Sequence, residues 1–375
     1  MLIRRKTRPL AYILHEAPAG TVLTTEVLRS LIAEAAAGKI VEEAIGEELA
    51  TSPVASAKPS VTAAICTRAR TKELARCIGS LLPLQESHGF EILVVDNAPP
   101  NQETSALLQK FPTVRYVVEP RPGLDFARNR ALAEAGGEWI AFLDDDIVAD
   151  RWWFDALEDA LRENPDAAAI TGLVLPLELS TTAQIVFEKR GGFQRGFDPR
   201  RYGSVLPGNP VHPCGAGIFG TGSNMAFRRD TLRQLGGFDE ALDTGAPLPG
   251  GGDLDMFFRI IRAGNILVYE PRFLVFHEHR RDEAALQRQY YTWGLGLMAY
   301  VDKHRRADIA YRDRFRRLIR WWFHDQFDRL RSSLRGRHPL PARMVLAEIL
   351  GGIVGLLGEY GRSRRRIERI RKEFS

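Results

Sequence analysis

Three aspartates in a row, Asp144-Asp145-Asp146, follow directly on the apolar run Trp139–Leu143. Carboxylates crowded at the end of a buried strand repel one another. A divalent cation relieves that repulsion, and an all-oxygen ligand set suits a hard ion such as Mg2+ or Mn2+. Such an ion bridges a diphosphate and neutralises charge on a leaving nucleotide. The plainer reading is structural, because acids also favour the first turn of a helix, here one expected over Trp152–Leu161. A second acidic pair, Asp253 and Asp255, stands behind Gly250-Gly251-Gly252 and ahead of an apolar helix pattern. Glycines let backbone approach a ligand closely, and an aspartate placed there can take a proton from an incoming hydroxyl. The competing role for Asp253 is to cap the helix Leu254–Ala263. His277 and His279 close an apolar strand and share one face of it. A neutral imidazole there completes a metal site or meets a diphosphate, although a histidine is more often structural.

The elements that must hold these residues alternate. Val61–Cys66 reads as a buried strand, Lys72–Leu82 as a helix, and Glu91–Asp96 as a second strand ending in an acid. A helix (Asn101–Lys110), a strand (Val114–Val118), a helix (Phe126–Ala135) and the strand Trp139–Asp144 follow. This alternation predicts an α/β fold with a mainly parallel sheet covered by helices. Ligands in such sheets bind beyond the carboxyl ends of the strands, where Asp96 and Asp144 both fall. Residues 21–50 read as helix, and Thr51–Ser60, with two prolines, as a linker. Three parts are therefore expected: a helical extension with linker at 1–58, a nucleotide-binding domain at 59–304 and a basic helical tail at 305–375.

Several of these segments, in this order, resemble the family 2 glycosyltransferases. Cys66-Thr67-Arg68-Ala69-Arg70 stands where that family usually reads Pro-Thr-Tyr-Asn-Arg, with Cys66 and Ala69 as departures. Val94-Val95-Asp96-Asn97, Gly123-Leu124-Asp125-Phe126-Ala127-Arg128-Asn129 and Phe142-Leu143-Asp144-Asp145-Asp146 are similar to three further motifs of the family. Gly220-Thr221-Gly222-Ser223-Asn224 and Val275-Phe276-His277-Glu278-His279 are similar to later ones, while Gly252 replaces the usual Glu ahead of Asp253. The resemblance covers roughly residues 60–300. It implies a GT-A (Rossmann-like) domain with a mixed, mainly parallel sheet. It also implies metal-dependent, inverting transfer of a sugar from a nucleotide-sugar donor, a UDP-sugar by base rate, to an acceptor hydroxyl. By it Asp253 is the base, Asp146 and His277 hold the metal, and Thr67, Arg70, Asp96, Gly123, Arg128, Asp144, Asp145 and Asn224 face the donor. Each has a plainer role: Thr67 as a helix cap, Arg128 as a surface charge, Asn224 as part of a tight turn. Gln287–Tyr291 with Trp293 is read as a segment closing over the diphosphate. The other readings are a sugar nucleotidyltransferase, which would carry a glycine-rich loop after its first strand where Cys66–Thr71 has none, and an inactive nucleotide-sugar-binding protein.

Charge is unevenly spread. Residues 305–375 hold 19 Lys and Arg against 8 Asp and Glu, whereas the rest holds 33 against 39. In the tail, Phe315, Leu318, Ile319, Trp322, Phe323, Phe327, Leu330 and Leu334 recur at helical spacing opposite arginines, as in helices that lie on anionic membranes. Packing on the core or a homodimer through these helices is the equal alternative. No nucleic-acid module accompanies the charge, so no nucleic-acid partner is expected. Three cysteines without metal or pair spacing (Cys66, Cys77, Cys214), no leader pattern and no uninterrupted apolar span predict a cytoplasmic protein, with peripheral attachment to the inner membrane face as the tail's reading.

Overall fold

The computed structural model describes residues 1–18, 20–49, 58–242, 245 and 248–374. The chain opens on an antiparallel hairpin, β1 (Leu2–Arg5) and β2 (Arg8–Tyr12), before α1 (Thr25–Leu49). The expected extension was purely helical. The hairpin escapes notice because its turn has no glycine or asparagine: Lys6 itself takes a left-handed φ of 49°, a conformation uncommon outside Gly, Asn and Asp. Ile3, Leu10 and Ala11 pack on Ala36 of α1. Arg4 grips Asp150 with both terminal nitrogens at 2.9 and 3.0 Å, fastening the extension to the domain. The expected linker falls, up to residue 57, outside the described residues.

Then β3 (Val61–Thr67), α2 (Thr71–His88), β4 (Glu91–Asn97), α3 (Glu103–Leu108), β5 (Val114–Glu119), α4 (Leu124–Glu134) and β6 (Trp139–Asp144) alternate. β5, β4, β3 and β6 pair in parallel in that order. Interior parallel strands must be apolar on both faces, and Ala63–Ile65 and Ile92–Val95 are fully buried. The second half supplies β7 (Ile147–Ala149), α5 (Trp153–Glu163), β8 (Ala167–Pro176), α6 (Thr182–Lys189), β9 (Arg200–Tyr202) and β10 (Asn224–Arg228). It continues with α7 (Arg229–Gln234), α8 (Gly252–Arg262) and β11 (Ile266–His277). β10 inserts antiparallel between β6 and β8, β8 runs parallel to β11, and β7 and β9 lie antiparallel on β11. The sheet is mixed and mainly parallel, with helices packed on it: the α/β class the sequence predicts. Because β3, β4 and β6 run the same way, Thr67, Asp96 and Asp144 end at one edge.

Four long helices complete the chain: α9 (Glu283–Ala307), α10 (Arg312–Leu334), α11 (Ala342–Val354) and α12 (Tyr360–Glu373). Here the tail reading needs correcting. Phe315, Leu318 and Trp322 are at most 5% exposed and join the main core beside Phe258 and Tyr300. The first half of the apolar face of α10 is thus taken up by packing on the core, while Phe327 and Leu334 further along it stay exposed. An amphipathic pattern states that a face must be covered, not by what.

Helices α9 and α11 touch backbone to backbone. A Cβ on Gly294 would stand 2.0 Å from the Glu348 carbonyl, and one on Gly351 would stand 1.9 Å from that of Tyr291. Gly351→Ala must therefore separate the helices, and overpacking of this kind costs about 1–3 kcal/mol. The expected result is a melting temperature several degrees lower. Gly46→Ala, in α1 with open space around it, is the control and leaves the melting temperature unchanged or slightly raised.

Candidate functional site

A cavity of about 840 Å3 opens beyond the carboxyl ends of β3 and β6. Its wall carries Asp144, Asp145, Asp146 and His277 together with Arg70, Arg128 and Asp253. The aspartates end one strand and precede another: β7 separates them from α5, whose first-turn acid is Asp155. The helix-terminus reading of the triplet is thereby set aside.

Arg70 bridges two of the three acids, with Nη1 2.6 Å from Asp145 Oδ1 and Nη2 2.9 Å from Asp146 Oδ2. Thr67 donates its hydroxyl to Asp145 Oδ2 at 2.7 Å, so it positions an acid rather than capping α2, whose N-cap residue is Arg70. On the other side His277 Nε2 stands 3.1 Å from Asp146 Oδ1, out of line for a hydrogen bond, which leaves that buried oxygen without one. Burial alone would raise Asp146, but His277 and Arg70 outweigh it and hold the carboxyl well below its ordinary range. His277 responds in kind: burial lowers its pKa, and Asp146 raises it further than burial lowers it. Asp145 goes the other way, pushed up to about 7 by burial and its acidic neighbours despite Arg70 and Thr67.

His277 is itself supported from behind. Its Nδ1 lies 3.2 Å from His279 Nδ1, and His279 Nε2 lies 2.8 Å from Glu188 Oε1. A carboxylate only accepts, so His279 donates to Glu188 through Nε2. With His279 neutral, its Nδ1 can then only accept, and His277 donates through Nδ1. With His277 also neutral, the lone pair of its Nε2 faces Asp146 and is free for a cation; without one, the raised pKa favours a proton on that nitrogen. Burial lowers the His279 pKa and favours that neutral form, even against the Glu188 hydrogen bond.

This arrangement fits a divalent cation. One ligand atom each from Asp144, Asp146 and His277 lies within 4.8 Å of the others, whereas two ligands at about 2.1 Å from one ion are at most about 4.2 Å apart. A small inward movement closes the set, and the orphaned Asp146 Oδ1 is the natural ligand. Two carboxylates and one imidazole suit Mg2+ or Mn2+, with open positions left for phosphate oxygens.

Asp253 faces the cavity from the first turn of α8. Its Oδ2 accepts the Gly222 N–H at 3.0 Å and its Oδ1 the Leu254 N–H at 2.8 Å. The N-cap residue is Gly251, at φ 113°. Gly222 threads between the two walls: a Cβ there would come 2.9 Å from Arg128 Nη2 and 3.4 Å from Asp253 Oδ2. Arg128 is 4% exposed, paired with Asp125 at 3.0 Å and stacked over Phe238, so it is no surface charge. Asp255 is fully buried, held by Arg259 at 2.7 Å, His304 at 2.6 Å and Lys303. These partners keep its carboxyl well below the ordinary range against the push of burial.

Other expected donor residues lie off the cavity wall. Asn224 must be corrected: it is fully buried in β10, accepting Trp153 Nε1–H at 3.1 Å and donating to the Phe273 carbonyl at 2.7 Å. Its polar atoms are used up inside the sheet. Gly123, at φ 144°, donates its N–H to Asn97 Oδ1 and shapes the loop before α4. Asp96 ends β4 fully buried; its Oδ2 accepts the Tyr116 hydroxyl at 3.0 Å and its Oδ1 has no hydrogen bond. Gln289 and Trp293 of α9 line the cavity, whereas Tyr290 is buried. Three arginines also line the cavity: Arg288, within the segment Gln287–Tyr291, Arg280, directly after the His277–His279 motif, and Arg195, which the sequence does not single out. Arg195 is tied to the Gly217, Phe193 and Gln194 carbonyls; no local pattern distinguishes it from ordinary loop arginines.

Comparison with known proteins agrees with this geometry. Residues 62–236 match the model of glycosyl transferase family 2. A pre-mycofactocin glycosyltransferase of Mycobacterium tuberculosis is 27% identical over 223 residues, 59% of this chain and 43% of that protein. A glucosyl-dolichyl phosphate glucuronosyltransferase of Haloferax volcanii is 25% identical over 185 residues, 48% of this chain and 56% of that one. The chain thus spans about half the length of these two curated relatives. Among solved structures, a mannosyltransferase of Pyrobaculum calidifontis in complex with GDP-Man and Mn2+ aligns over 90% of this chain and 96% of its own, with 16% identity and a TM-score of 0.49. The segment that carries the acidic triplet, residues 62–236, belongs to glycosyl transferase family 2.

Proposed function

We propose that this protein transfers a sugar from a nucleotide-sugar donor to an acceptor hydroxyl in glycoconjugate or polysaccharide assembly, with metal assistance and inversion at the anomeric carbon. The observation that carries the reading is one cavity walled on one side by Asp144, Asp146 and His277 and on the other by Asp253. Asp144, Asp146 and His277 would hold the cation, whose chemistry is to neutralise charge on the departing nucleoside diphosphate. Arg70 orients Asp145 and Asp146, and Arg128 supplies a fixed positive charge on the donor side. Asp96, at the carboxyl-terminal end of β4, is the residue proposed to accept from a nucleobase. The Gly222 and Leu254 N–H groups fix the Asp253 carboxylate. It takes the acceptor's proton as the acceptor oxygen bonds to the anomeric carbon and the bond to the diphosphate oxygen breaks. Three cysteines without disulfides among the described residues suit a reducing, cytoplasmic setting. UDP is the first donor nucleotide to test.

Thermal stabilisation by UDP, GDP and dTDP, each with Mn2+ and with EDTA, tests the reading, because a ligand bound only to the native state raises the melting temperature. One nucleotide is expected to raise it by several degrees with Mn2+ and by little with EDTA. No shift with any nucleotide in either condition would overturn the proposal.

A further inference from the structure

Helix α11 leaves one side uncovered. Leu346, Leu350 and Ile353 are 44%, 55% and 41% exposed, and their spacings of four and three put them on one stripe, which Leu357, 67% exposed at the kink after α11, extends. The stripe runs about 16 Å at 1.5 Å per residue. Exposed arginines bracket it: Arg343, paired with Glu283, at one end, and beyond the bend at Gly358 Arg362, paired with Glu359, with Arg364 and Arg365. Arg364 and Arg365 have no carboxylate partner among the described residues. Between α9 and α11 the stripe borders a groove of about 460 Å3, and one of its walls is Arg288. The same Arg288 lines the catalytic cavity, next to Arg280. The glycine contacts that lock α9 to α11 hold the stripe rigidly beside that cavity.

We propose that this face seats the protein on an anionic lipid surface, and that Arg288 presents a lipid-borne phosphate at the cavity rim, so that the acceptor is a lipid-linked molecule. Charge and shape select this occupant. An apolar stripe flanked by arginines matches the boundary between acyl chains and anionic headgroups. A membrane-crossing role fails on packing: the helix Ala342–Glu373 is long and apolar enough, but half of its most apolar window is buried against its own domain. Docking stands independently of the transfer chemistry; the acceptor's class rests on the proposed glycosyl transfer.

The test is vesicle flotation of the full chain with phosphatidylcholine alone and with added phosphatidylglycerol, for wild type and Leu350→Ser/Leu357→Ser. Both leucines are exposed and line no part of the catalytic cavity, so the double variant folds and keeps the nucleotide-dependent thermal shift. Wild type is expected to float with anionic vesicles at least about tenfold more strongly than with neutral ones, and the variant to lose at least about tenfold. Wild type that ignores anionic vesicles, or a variant that floats equally well, overturns the inference. A dimer in sedimentation that the double substitution dissolves, without vesicle binding, assigns the stripe to a second copy instead. Vesicle binding without any nucleotide-dependent shift would leave docking standing while removing the transfer reading.

Discussion

Asp253→Asn is expected to lower turnover by ~10²–10⁴-fold, the usual share of a positioned general base, while Mn2+-dependent nucleotide stabilisation persists. The two effects separate because Asp253 is held apart from the acidic triplet, by the Gly222 and Leu254 N–H groups. Asparagine keeps the side chain's shape and can still accept one of these two bonds, so the loop stays in place. The neighbouring acid supplies the contrast. Asp255 lies fully buried among Arg259, Lys303 and His304, and removing one partner of a buried charge cluster costs about 3–5 kcal/mol. Asp255→Asn should therefore show as lost stability, with activity falling only as folded protein is lost. Steady-state kinetics beside thermal melts of both variants distinguish the roles. An Asp253→Asn enzyme within tenfold of wild type would remove Asp253 as the base.

What could be read from the residues alone depended on whether local pattern determines the environment. Asp144–Asp146 and Asp253 were legible because an apolar strand and a glycine run each state where the next side chain must emerge. Asn224 was not. Motif likeness places it near the donor, but at the start of β10 its side chain turns into the sheet, to Trp153 and the Phe273 carbonyl. Arg195 carries no local mark, and only tertiary packing brings it to the cavity. The support of His277 by His279 was half legible: their spacing put both on one face, but Glu188, which orients them, comes from a distant helix. The carboxyl-terminal helices show the same limit. The stripe on α10 had two equal readings and is covered by the core over Phe315, Leu318 and Trp322 but not at Phe327 and Leu334, whereas that on α11 is interrupted by glycines in the sequence and stands exposed.

Without metal, Asp145 and His277 are expected to contribute stability that falls as pH rises from about 5 to 8, and the stabilisation by Mn2+ to grow over the same range. His277 has a folded-state pKa above its ordinary 6.5, so its pairing with Asp146 contributes fully below that value and is lost as pH climbs through the raised one. Asp145, moved from 3.8 to about 7, holds a proton that the unfolded chain has already released between those values. At these two sites folded protein thus binds more protons than unfolded protein, and their contribution falls with pH by up to about 1.4 kcal/mol per pH unit for each such proton. His212, His279, His304 and His338, whose pKa values burial lowers, contribute in the opposite sense. A cation at Asp144, Asp146 and His277 reverses the preference. It requires the imidazole neutral, favours ionised Asp145 nearby and competes with protons, so its affinity rises with pH. Melting temperatures in EDTA and in Mn2+ at pH 5.5, 6.5 and 7.5 read both slopes. Asp145→Asn should flatten the metal-free slope, and His277→Gln should shrink the metal increment at every pH. A metal increment independent of pH, or one that His277→Gln leaves intact, would show that Asp144, Asp146 and His277 do not form the cation site.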